Sequence, residues 1–201
     1  MKSSDYFTAE NSALLLIDHQ VGTMQLIKTL PLELVRRHTL ALARLGQLLG
    51  MPIVLTSSQE DRFQGLLMPE LANLLPAEYA ARVRRQGLAN AWDDPAFVAA
   101  TRATGRRNLI MAGVTTDVCV VFPAISAVDE GYRVQVVLDG GGSPFQISED
   151  MAQRRMAAAG VTLTTAITVF AELVRDWTRD EGRPQKLLFD DVLGPVLAGH
   201  A

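Results

Sequence analysis

Ala13-Leu14-Leu15-Leu16-Ile17 is an unbroken apolar run that stops on Asp18. Five residues are too few for a helix, and the run has no polar face. It therefore reads as a strand covered on both sides, as in a parallel sheet. Working outward, Leu32 to Gly50 has helical spacing, with Leu34, Leu42, Leu45, Leu48 and Leu49 compatible with one face and Gly50 and Pro52 as its stop. Ile53 to Thr56 predicts a second strand. Ser57 to Glu78, broken by Gly65, Pro69 and Pro76, predicts a loop with one small helix. Ala81 to Arg85 predicts a third strand, in which Ala81, Val83 and Arg85 share one face and Arg82 and Arg84 the other.

The alternation continues to the end of the chain. Helical spacing over Pro95 to Thr104 is closed by Gly105, and Asn108 to Ala112 is a fourth apolar run. After Gly113, Val118, Val121, Phe122, Ile125 and Val128 form a helical stripe that Gly131 ends. Arg133 to Leu138 predicts a strand, Ser148 to Ala159 a helix, Val161 to Thr164 a sixth strand and Val169 to Trp177 a last strong helix, with a short one in Lys186 to Leu197. Short strands separated by helices of ten or more residues need right-handed crossovers, which build a parallel sheet between two helical layers. The expected fold is a doubly wound, three-layer α/β sandwich, in which chemistry gathers at the carboxyl ends of strands.

Composition narrows the function. At 201 residues with 48% hydrophobic and 20% charged side chains, the chain suits one domain with a full core. A net charge of -3 supplies no positive field for a phosphate backbone, so no nucleic acid partner is expected. A single cysteine excludes an internal disulfide and a multi-thiolate zinc site. No run approaches a membrane span, and Met1 to Ser12 contains no apolar stretch of signal length, so a cytoplasmic location without membrane association is expected.

Three polar residues stand at strand ends. Cys119 follows a sharp turn at the start of a helix, where unpaired amides would favour a thiolate, Thr116 or Asp117 could cap the helix, and the thiol would reach the rim; alternatively it is a small hydrophobe packed beneath that helix. Asp18 is either a turn former or a general base able to take a thiol proton. Arg85 is either a solvated cation or, by its parity with Val83, an inward guanidinium that balances Asp18, a thiolate or a substrate carboxylate. His19, His38 and His200 are scattered, so no metal and no cofactor is expected. Gly140, Gly141 and Gly142 lack the lysine of a phosphate loop and read as a turn, and no G-x-S-x-G elbow is present.

The segments Leu14 to Gln20, Arg85 to Trp92 and Gly113 to Val120, in order and at family-like spacing, resemble the isochorismatase-like cysteine hydrolases. Phe122 to Ala127 and Glu172 to Trp177 resemble the YcaC-like subgroup. The resemblance covers roughly Ala13 to Trp177 and implies a six-stranded parallel sheet of order 3-2-1-4-5-6 with a triad of Asp18, Arg85 and Cys119. It further implies a cis peptide between Val114 and Thr115 and an oxyanion hole from the amides of Thr115 and Cys119. Many catalytic members have lysine where this chain, like that subgroup, has Arg85, and the nicotinamidase D-x-H metal pattern has no clear counterpart here.

The expected activity is hydrolysis of a small amide, carbamoyl or related acyl compound through a thioester on Cys119, with Trp92 and Phe145 as candidate pocket walls. The family precedent, with an apolar tail around Leu187, Leu188 and Val192, implies a homo-oligomer, an octamer being the form to test. The rival reading is a non-catalytic oligomeric or ligand-binding protein that keeps the scaffold with Cys119 inert or redox-sensitive. A nucleotide-binding regulatory domain lacks its glycine fingerprint.

Overall fold

A computed structural model describes residues 6–199; His200 and the first five residues of the opening segment lie outside them. Six parallel strands form one sheet in the order β3-β2-β1-β4-β5-β6. They are β1 (Ser12–Ile17), β2 (Ile53–Ser58), β3 (Val83–Arg85), β4 (Asn108–Gly113), β5 (Arg133–Val137) and β6 (Thr162–Thr164). The helices are α1 (Leu32–Leu48), α2 (Pro69–Leu74), α3 (Pro76–Ala80), α4 (Pro95–Ala103), α5 (Val121–Asp129), α6 (Gln146–Ala158) and α7 (Ala166–Val174), followed by short turns of helix from Arg183 to Leu197.

The opening run behaves as its composition requires, every residue of β1 being buried. The pleat sorts its side chains. Leu14 and Leu16 join Leu42 and Leu45 of α1 and Phe170 of α7 in one core, while Ala13, Leu15 and Ile17 join Phe97 of α4, Ala124 of α5 and Met156 of α6 in the other. Each fully buried leucine or isoleucine contributes about 1.5–3 kcal/mol, so the central strand fastens both helical layers.

Several boundaries differ from the sequence reading, each for a tertiary reason. The segment expected to hold one small helix holds two, each begun by a proline at its first turn, and α3 runs to Ala80, which leaves only Val83–Arg85 extended. Strand β2 continues through Ser58 because Ser57 and Ser58 pair with Arg84 and Arg85. Helix α7 starts at Ala166, whose N–H is capped by Asp139 at 2.8 Å, and stops where Arg175 turns to φ 59°. In the tail, Leu188 and Val192 are buried in the core shared with α1 and α7, and Arg44 pairs with Asp191. Part of the apolar tail is thus covered within its own chain, while Phe189, Val196 and Leu197 stay exposed.

Candidate active site

Strands β1, β3 and β4 end on one edge of the sheet, and three side chains meet there. Asp18 follows β1 with φ 56°, a left-handed conformation that aspartate tolerates better than most residues, and its N–H donates to the Thr56 carbonyl at 3.0 Å. Arg85 is the last residue of β3, in register with Ser58. Its Nη2 donates to Asp18 Oδ2, Nη1 to the Leu88 carbonyl at 2.6 Å and Nε to Thr56 Oγ1 at 3.1 Å. Both side chains of this ion pair are at most 1% exposed. The parity argument for Arg85 therefore holds, and Arg84 points outward.

Cys119 stands in a wide helical turn, Thr116–Val120, between β4 and α5. Gly113 makes the turn possible: a Cβ there would lie 2.7 Å from the Ile17 carbonyl and 2.8 Å from Val120 Cγ2. The Val114–Thr115 peptide bond is cis. Neither Thr116 nor Asp117 caps the turn with its side chain; the Thr115 carbonyl instead accepts from the Cys119 N–H at 2.9 Å and the Val120 N–H at 3.2 Å.

Electrostatics correct one expectation. Burial first, and then the Asp18 carboxylate, push the Cys119 thiol up to about 12, and the turn amide and Arg85 oppose this too weakly to matter. Cys119 is therefore a neutral thiol at rest, not a stored thiolate. Burial also raises Asp18 above the usual carboxylate range, against the pull of Arg85. The two groups interact directly, and Asp18 Oδ1 has no fixed donor, so it is free to receive a proton. A carboxylate with raised affinity for protons beside a thiol that resists ionising is a base and nucleophile that must act together.

The three groups open on a cleft of about 280 Å³, also lined by Leu26, Phe63, Leu88 and Val118. Cys119 is partly accessible. Trp92 does not line this cleft: it is buried, packed edge-on against Phe97 and Tyr132. Phe145 does not line it either and is 67% exposed ahead of α6. Periodicity could not identify the true walls, because they sit on irregular segments. Gln20 is a positioning residue that the strand-end pattern does not flag. Fully buried, it donates to the Ser58 carbonyl at 2.8 Å and to the Gly65 carbonyl and accepts from the Ser58 N–H at 2.8 Å. It thereby fixes both ends of the loop that carries Phe63. The signal in the sequence is a polar residue two positions beyond Asp18, in the same motif.

The glycines Gly140–Gly142 form a close turn, in which a Cβ on Gly141 would come within 2.2 Å of the Gly113 carbonyl. His19, fully buried, bonds the Gly140 carbonyl at 2.8 Å through Nε2, and burial holds it down at about 4. No group of three or more metal-ligating side chains gathers among the described residues, and none of their helices is long and apolar enough to cross a membrane.

Comparison with known proteins agrees with this arrangement. The model of the Isochorismatase domain matches residues 12–168. The Probable hydrolase YcaC of Escherichia coli (strain K12) is 41% identical over 170 residues, covering 85% of this chain and 81% of that protein. The structure of YcaC from Pseudomonas aeruginosa, solved with hexane-2,5-diol and covalent acrylamide, superimposes with a TM-score of 0.92 at 36% identity, covering 98% of this chain and 97% of that one. The E. coli YcaC structure, described as an octameric hydrolase of unknown specificity, gives 0.91 at 36% identity, covering 100% and 98%. A MAR1 ribonuclease from Caenorhabditis elegans, at 21% identity and a TM-score of 0.80 over 93% and 94% of the two chains, shares the fold alone. A parallel sheet in this strand order, a hydrolase scaffold of this type and a cysteine at its open edge place the chain in the isochorismatase family, in its YcaC-like branch.

Proposed function

We propose that the protein is a cysteine hydrolase that cleaves a small amide, carbamoyl or related acyl compound through a thioester on Cys119. The observation that carries this reading is the convergence of a buried Asp18–Arg85 pair and a partly accessible thiol on one cleft. As the sulfur attacks the acyl carbon, Asp18 takes the thiol proton, then gives it to the departing amine or alcohol, and finally draws a proton from the water that cleaves the thioester. Each positioned proton transfer contributes roughly 10² to 10⁴ in rate. Arg85 has no proton to lend; it holds Asp18 in place and keeps the carboxyl ionised often enough to act.

The carbonyl oxygen would be received by the amides of Thr115 and Cys119, the latter sharing its hydrogen with the Thr115 carbonyl. Acrylamide adds to thiols, and the covalent acrylamide in the P. aeruginosa relative supports a reactive sulfur in this branch. Cys119 is the sole thiol of this chain. By likeness to the octameric E. coli protein, the chain would form a homo-oligomer, which light scattering measures. A lone cysteine fits a reducing compartment such as the cytoplasm. The small cleft, whose one lining cation is already paired with Asp18, favours a small molecule over a polynucleotide.

The test is Cys119→Ala against an amide and ester panel, with mass-spectrometric capture of an acyl group on the wild-type sulfur. Turnover lost with the thiol, and a captured adduct, are expected. Hydrolysis unchanged by the substitution would remove the proposal, and a chain with no turnover on the panel would be a ligand-binding scaffold instead.

A further inference from the structure

The cleft holds one positive and one negative side chain, and they are spent on each other. Each of the three Arg85 guanidinium nitrogens already donates one hydrogen bond, to Asp18, Leu88 and Thr56. The described lining residues include no lysine, no histidine and no second arginine. Arg84 is turned away, and Arg62 is exposed beside Asp61. A substrate carboxylate would enter without a counter-ion and beside a carboxylate, a juxtaposition that desolvation makes unfavourable.

What the cleft does offer is apolar contact and two waiting polar atoms. Leu26, Phe63, Leu88 and Val118 are between 38% and 64% exposed, all on this lining, so the apolar surface is grouped at one mouth. Thr23, 5% exposed, has a hydroxyl without a partner, and Gln64 Oε1 is buried without one although its Nε2 donates to Gln59 at 3.0 Å. Both residues line the cleft. Among the described residues twelve buried side-chain atoms lack a hydrogen-bond partner, and those of Asp18, Thr23 and Gln64 are the three on this ligand-sized cleft, where a ligand can supply the missing bonds.

We infer that the site takes an uncharged substrate: a short apolar arm laid against the Phe63 and Val118 side of the mouth, attached to a polar head that donates N–H to Gln64 Oε1 and bonds the Thr23 hydroxyl, with no ionised carboxylate. This deepens the hydrolase reading above and depends on it only for the identity of the reacting head.

The test uses two reagents of nearly equal size, iodoacetamide and iodoacetate, on the full-length protein at pH 8.5. In each case the sulfur displaces iodide from carbon and the thiol proton passes to Asp18 or water. The rate ratio at Cys119, divided by the same ratio for a free cysteine peptide, isolates the cleft's preference. The expected preference for iodoacetamide is about tenfold, equivalent to ~1.4 kcal/mol. Val118→Lys, at an exposed rim position, brings in a cation and is expected to reduce the preference at least threefold. Gln64→Leu is expected to reduce the advantage of iodoacetamide over iodoacetonitrile, which has no N–H to donate.

A peptide-corrected ratio near one, or a preference for iodoacetate, would overturn the inference. A preference for the neutral reagent in a protein that turns over no ester or amide would support the inference while refuting the thioester reading. Cys119-dependent hydrolysis confined to carboxylate-bearing substrates would overturn the inference and leave the hydrolase reading standing.

Discussion

Replacing Arg85 with methionine probes the centre of the site. The substitution keeps most of the side-chain volume and removes the charge, so the Asp18 carboxylate, the Leu88 carbonyl and Thr56 Oγ1 all lose their donor in a place with almost no access to water. Breaking a buried ion pair from one side typically costs about 3–5 kcal/mol, because the remaining charge has neither partner nor solvent. Part of that is recovered if Asp18 protonates. Its affinity for protons, already raised by burial, then rises further, which draws the carboxyl toward its protonated form and weakens the base. Arg85→Met is therefore expected to lower stability by about 3 kcal/mol and to lower turnover by roughly 10² or more. Asp18→Asn/Arg85→Met carries no buried charge and is expected to be more stable than Arg85→Met alone, though inactive. Urea denaturation of the four proteins closes the cycle. Two single effects that simply add, or an Arg85→Met loss below about 1 kcal/mol, would refute the account of a mutually dependent pair.

Other expectations follow from neighbouring groups. His19 is held neutral at about 4, below its ordinary 6.5, so the unfolded chain binds a proton that the native chain refuses between those values. Stability is full above pH 6.5 and falls by about 1.4 kcal/mol per unit as the pH drops toward 4. His19→Gln, which retains a donor for Gly140, should flatten that part of a pH series of denaturation midpoints, and an unchanged slope would contradict the assignment. The Cys119 thiol, raised to about 12, acts with the opposite sign: from pH 9 upward the unfolded chain sheds the proton first and stability declines, a loss that Cys119→Ser should lessen. Because the resting thiol is neutral, Asp18→Asn should abolish turnover even though removing the nearby carboxylate makes the sulfur easier to ionise, which alkylation across pH would record. Gln20→Leu removes three bonds to the Phe63 loop and is expected to cost about 2–4 kcal/mol and to raise KM, as thermal melts and steady-state kinetics would reveal. Equal KM values would mean that the loop does not shape the cleft.

The sequence by itself determined the alternation of strands and helices, because burial on both faces forces continuous apolar runs such as Leu14 to Ile17 and the crossovers force helical periodicity between them. It also raised Asp18, Arg85 and Cys119 as candidates near strand ends, each with a plain structural alternative, and their grouping as a triad came with the resemblance. The strand order came only with the resemblance. Tertiary structure alone decided that α7 begins at Ala166, where the cap comes from distant Asp139. It decided that the apolar tail folds back on its own core and that Trp92 is core while Leu26, Phe63 and Val118 are walls. Above all it set the state of the thiol. A helix start reads in one dimension as a place that favours an anion, but burial and the carboxylate of Asp18 outweigh the turn's amides. Desolvation and charge proximity depend on what surrounds an atom in space, and periodicity along a chain carries no record of that.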